Sequence, residues 1–290
     1  MTLERYREWL ARGRAHQAAG RAIDALMCYR RALADACADT GAFDAALDAV
    51  DHVLALEPAD ARARALSTLL RAGRGEASVE ALETALAAQA TWPLALLAHV
   101  VERIGGARSG APPQILRRLF DLALASPVTQ ANEDALRVIA RTLATAGERE
   151  PARVFIERYA QACREAHRNA MPLLWPQRTA GAALRAGWLR VAGDARVDAL
   201  QAAIAGSFGS GRCDWSVLEL RALPASPDAA ARAIAALDLD VLIDAGGVAH
   251  ASGPLLALRP ARRVWALDRA DAPAVSALAD RVFRKMGSEL

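Results

Sequence analysis

At Met171–Ala182 the chain reads MPLLWPQRTAGA, with two prolines and a glycine, and the spacing of its apolar residues changes there. Upstream, apolar residues recur every three to four positions, as in Leu66, Leu69 and Leu70 or Leu82, Leu86 and Ala87, the period of helices with one buried stripe. Breakers at Gly73, Gly75, Pro93, Gly105, Gly106, Pro112, Pro127 and Gly147 cut that stretch into helix-length pieces. Downstream, apolar residues form short runs of strand length: Leu184–Val191, Trp215–Leu220, Asp240–Ala245 and Arg263–Leu267. Between and after them lie segments of helical spacing, Ala195–Ala205, Asp228–Leu237, Gly253–Leu258 and Ala274–Lys285. Strand alternating with helix implies a parallel sheet with crossover connections. The expected organisation is a helical array over 1–170, a linker at 171–182, and a small Rossmann-like α/β domain over 183–290.

Helices are expected near 3–18, 21–39, 42–56, 60–72, 77–89, 92–104, 113–125, 130–145 and 149–168. A stacked array buries its core between neighbours and leaves a concave surface, which suits binding of a protein or peptide. With 53% hydrophobic and 24% charged residues, disordered and collagen-like classes are excluded. The longest uncharged apolar stretches, such as Thr91–Val101, fall short of the roughly 20 residues of a membrane span. The first residues, with Glu4, Arg5, Arg7 and Glu8, do not make a secretory leader, and a cytoplasmic protein without a membrane span is expected.

Cys28, Cys37, Cys163 and Cys213 form no CxxC pair, and the five histidines are scattered, so neither a disulfide framework nor a metal site is expected. Lys285 is the lone lysine; the other basic residues are arginine, a coding bias of a GC-rich genome. Net charge is only +3, but Met1–Arg31 holds seven arginines and Ala32–Ala61 seven acids with no base. Nucleic acid would prefer an uninterrupted basic surface, and none is expected as a partner. A groove lined by Arg14, Arg21 and Arg30, with Tyr6 and Tyr29 as anchors, would suit an acidic peptide; solvated and packed helix faces are the alternative.

Two stretches, Gly20–Leu33 (GRAIDALMCYRRAL) and Gly41–Pro58 (GAFDAALDAVDHVLALEP), each set a small residue, Ala25 or Ala46, five positions after a glycine. Tyr29 and Ala32 continue that face in the first; Pro58 stops the helix in the second. Both resemble the tetratricopeptide repeat. The glycines lie 21 residues apart, not the roughly 34 of a regular repeat, so a degenerate array is expected.

Ligands of open parallel sheets bind beyond the carboxyl ends of the strands. Asp244-Ala-Gly-Gly-Val-Ala-His250 follows one such strand, with Gly246 and Gly247 allowing close backbone approach. The first strand is followed by Ala192-Gly193-Asp194, with no GxGxxG, and no GxxxxGK[ST] occurs, which disfavours a dinucleotide or P-loop site. No cofactor is expected.

Leu184–Leu189 (LRAGWL), Leu239–Gly247 (LDVLIDAGG) and Ala257–Leu267 (ALRPARRVWAL) come in the order seen in the O-linked N-acetylglucosamine transferases and their bacterial SPINDLY-like relatives, behind repeat-like helices. The chain resembles that family in nearly its whole length. Asp244, Gly247, Arg259, Pro260 and Ala261 are the positions that match. The departures are as informative. The family's His-Thr is Val248-Ala249, with His250 displaced; its loop histidine has no counterpart in Gly193-Asp194-Ala195-Arg196; its Gly-Tyr turn is Asp268-Arg269-Ala270. On this resemblance the chain reaches about the end of the first lobe, and the expectation is half a cleft without the nucleotide-sugar lobe.

Three readings follow. The first is a non-catalytic scaffold that binds a protein partner, a catalytic glycosyltransferase subunit or a second copy of itself. The second is one subunit of a split O-linked glycosyltransferase, with Asp244 and His250 as candidate catalytic groups and Gly246, Gly247 and Arg259 as ligand contacts. The third is an enzyme or small-ligand binder of another kind on the same architecture. Asp244 has a structural alternative, an Asx turn or helix cap.

Overall fold

A computed structural model describes residues 2–37, 42–89, 91–105, 112–129, 132–175, 182–190, 198–199, 202, 213–249, 251–269 and 273–284. The chain divides into two compact units, Met1–Pro127 with Asp134–Thr142, and Val128–Glu133 with Leu143–Leu290.

The first unit is a succession of helices: α1 (Thr2–Ala18), α2 (Ala22–Cys37), α3 (Phe43–Leu56), α4 (Ala61–Arg74), α5 (Val79–Ala87), α6 (Leu94–Ile104), α7 (Pro113–Ala125) and most of α8 (Glu133–Thr145). Their ends are set locally. Asp60 caps α4 by accepting the Ala63 amide at 3.0 Å, and Ser78 caps α5 through the Ala81 amide at 3.2 Å. Pro113 opens α7, where its missing N–H has no helical partner to lose. Helices α1 to α7 pack on near neighbours: α1 on α2, α2 on α3, α3 on α4, α4 on α5 and α6, and α5 and α6 on α7. This is the contact pattern of a stacked helical array. Ala25, Ala32 and Ala46 are wholly buried, the small residues that let backbones approach, and Tyr29 fills the space between α1 and α3. α6 buries Leu94, Leu96, Leu97, Val100 and Val101; each such aliphatic side chain contributes roughly 1.5–3 kcal/mol.

The second unit carries a parallel sheet of β1 (Leu184–Arg190), β2 (Cys213–Glu219), β3 (Val241–Asp244), β4 (Arg263–Asp268) and β5 (Arg281–Arg284), in the order β2-β1-β3-β4-β5. The register pairs Ala186 with Trp215 and Val241, and Trp188 with Val217 and Ile243. Because side chains alternate along a strand, Trp188, Val241, Ile243 and Leu267 share one face, with Trp215 and Trp265 packed against them. Leu242, Val264 and Ala266, also buried, occupy the other. Helices α9 (Arg149–Ala166), α10 (Pro227–Ala235) and α11 (Gly253–Ala257) complete the unit, with α11 packed on both others.

Two features depart from the sequence pattern. The helix expected over Ala274–Lys285 is instead a 3-10 turn, Ser276–Leu278, followed by β5. The cause is Asp280: its backbone N–H donates to Val264 O at 2.7 Å, and its carboxylate accepts the Val264 amide, also at 2.7 Å. These bonds draw the segment into the sheet against a helical spacing. Second, the pattern changes at 171–182, whereas contacts group α9 with the sheet, because α9 packs on α11. The helix expected at Ala195–Ala205 lies largely outside the described residues.

Candidate functional site

Strand order reverses at β1, which has β2 on one side and β3 on the other. In open parallel sheets the crevice beyond the carboxyl ends at such a point is where ligands bind. The strand ends there are Arg190, Glu219 and Asp244.

Asp244 is completely buried. Its carboxylate accepts the amide of Gly246 at 3.1 Å, the amide of Gly247 at 3.2 Å and the hydroxyl of Ser252 at 3.3 Å. Bonds to the amides two and three residues on are the Asx type of turn. Gly247 adopts φ +50°, which a glycine adopts without Cβ strain. Burial pushes the Asp244 carboxyl up to about 6, against the three donors, which act in the opposite direction. The turn thus gives its two amides to its own strand end, and the carboxylate faces inward. Beside it, Arg190 pairs with Asp198 and lies 3.8 Å from Glu219. His250 and Gly193–Arg196 lie outside the described residues.

Arg259 is not brought to this place. It precedes β4, at the amino end of the strands, with φ +54°, and donates to both oxygens of Asp280 at 2.8 and 3.0 Å. Burial alone would raise the Asp280 carboxyl; the Val264 amide and the Arg259 guanidinium together hold it below its ordinary value. At the same end Arg262 pairs with Asp238 at 2.5 Å and Asp240 at 3.4 Å and lies over Trp175 at 5.8 Å, while Arg185 meets Asp238 at 3.3 Å. Gly246 and Gly247 therefore share a site with Asp244, and Arg259 belongs to an ion-pair network at the opposite edge.

In the first unit, the expected groove residues separate into three groups. Tyr6 donates to Asp48 at 3.1 Å, and Arg14 reaches the same oxygen at 3.5 Å. Burial first, then Asp48, pushes the Tyr6 phenol up to about 12. Tyr29 is buried, donates to Gln17 at 2.7 Å and stacks on His52 with ring centres 4.5 Å apart; His52 lies 3.8 Å from Asp48. Arg21 faces Asp24 at 3.9 Å, and Arg30 pairs with Glu57 at 2.6 Å and Asp60 at 2.7 Å. Each of these arginines is about half exposed and has an acid beside it, so its pairing is worth little and is readily exchanged for another carboxylate. The sequence reading missed Asp48 and His52, which the i, i+4 spacing on α3 places on one face. It also missed His99, whose ring stacks on Phe43 at 4.2 Å and covers Gly73.

A cleft of about 330 Å³ opens between α5 and α7, over Leu86, Ala87 and Ile115, with Glu83, Gln114 and Arg118 at its rim. A second, of about 230 Å³, lies in the other unit among Met171–Leu173, α10 and Leu258. Neither includes Asp244. Among the described residues no group of three or more side chains is placed to hold a metal ion, and no helix is long and apolar enough to cross a membrane.

No family model matches the chain, and no curated protein matches it. Among solved structures it is similar to a mutant of the O-GlcNAc transferase of Thermobaculum terrenum, at 12% identity and TM-score 0.33 over 92% of this chain and 51% of that one. The chain spans about half the length of that structure.

Proposed function

We propose that this chain is a binding protein of the cytoplasm, in which the helical array docks a protein partner and the α/β unit performs no chemistry of its own. The observation that carries this reading is the state of Asp244. A group that acts on a substrate must reach it with free hydrogen-bonding capacity. Asp244, at the position where the sheet topology favours a ligand, spends its carboxylate on Gly246, Gly247 and Ser252 and exposes no surface. The array supports the docking role from its side: charged pairs around Asp48, Asp24 and Glu57 are half exposed and exchangeable, and the cleft between α5 and α7 has an apolar floor with a charged rim.

The order of LRAGWL, LDVLIDAGG and ALRPARRVWAL behind repeat-like helices favours a second reading, the acceptor-side subunit of a split O-linked glycosyltransferase. One experiment separates the two. The native protein is purified at low salt, the mass of whatever stays bound is determined, and melting is followed with UDP- and GDP-sugars. The binding-protein reading expects a stoichiometric partner and no sugar-dependent shift. A partner that brings sugar-dependent stabilisation and transfer of the sugar to protein would establish the split enzyme instead. A chain recovered alone, and stabilised by a small molecule, would overturn both.

A further inference from the structure

We draw no further inference here: the strongest candidate, the cleft between α5 and α7 over Leu86, Ala87 and Ile115, belongs to the docking surface already proposed, and nothing in the structure shows what covers it.

Discussion

At the scale of single residues, two fully buried polar groups of the α/β unit lead to different expectations. Trp188 is fully buried in the centre of the sheet, and its indole N–H has no hydrogen-bond partner among the described residues. An orphaned buried donor costs about 1–3 kcal/mol, similar in size to the packing that the larger ring supplies. Trp188→Phe should therefore unfold in urea within about 1 kcal/mol of the wild type, whereas Trp188→Ala should lose about 3–5 kcal/mol. Asp244 is the reverse case, a buried acid with donors but with its carboxyl pushed up to about 6. Its folded state binds the proton more tightly than its unfolded state, so its contribution is full below the ordinary 3.8 and is lost as pH rises through about 6. That shift amounts to about 3 kcal/mol. Denaturation of Asp244→Asn across this window should lack the decline, and an unchanged pH profile would show that Asp244 does not titrate there.

Among the elements, the contact of α11 with α9 leaves no room for an added methyl group. A Cβ added at Gly253 would lie 2.5 Å from the Tyr159 hydroxyl oxygen and 2.6 Å from its ring carbon, and Tyr159 is completely buried, so the ring has nowhere to move. Gly253→Ala should cost about 2–3 kcal/mol, and Tyr159→Leu in the same chain should recover part of it, a non-additivity measurable in a double-mutant cycle. The helices were legible from the sequence because spacing, prolines and caps agree: Pro113 and Pro227 open α7 and α10, and Asp60 and Ser78 start α4 and α5. Four strands were legible as short apolar runs. β5 was not, because Ala274, Val275, Leu278 and Val282 keep a helical spacing and only the long-range bonds of Asp280 to Val264 decide otherwise. The site was legible in part. Asp244 and its glycines announce a tight turn, but whether the carboxylate faces a ligand or its own amides depends on Ser252 and on burial. Arg259 is near that turn in sequence, yet it lies at the other end of the strands because α11 intervenes and carries the chain back to where β4 begins.

For the whole molecule, acidity should act on the two units in opposite directions. His99, half-buried on α6 against Phe43 and Gly73, is held below its ordinary 6.5 by burial, with Glu102 and Asp44 opposing. Its neutral form is the one that fits, so the helical unit keeps its full stability above 6.5 and loses part of it as pH falls through the lowered value. Asp244 works the other way in the sheet unit. Calorimetry from pH 7.5 to 4.5, as flagged by the roughly 6.5 midpoint of free histidine, should show the two transitions shift relative to each other, and His99→Phe should remove the helical unit's share. The stacking of α1 through α7, each on its near neighbours, has a consequence in time. Most neighbouring helices of such a stack meet over short loops, whereas β1 must find β3 more than fifty residues further along, Ala186 with Val241. Short closures come first. During synthesis the helices leave the ribosome before the last strand exists, so the docking surface proposed for the array can be complete while the sheet is still being made.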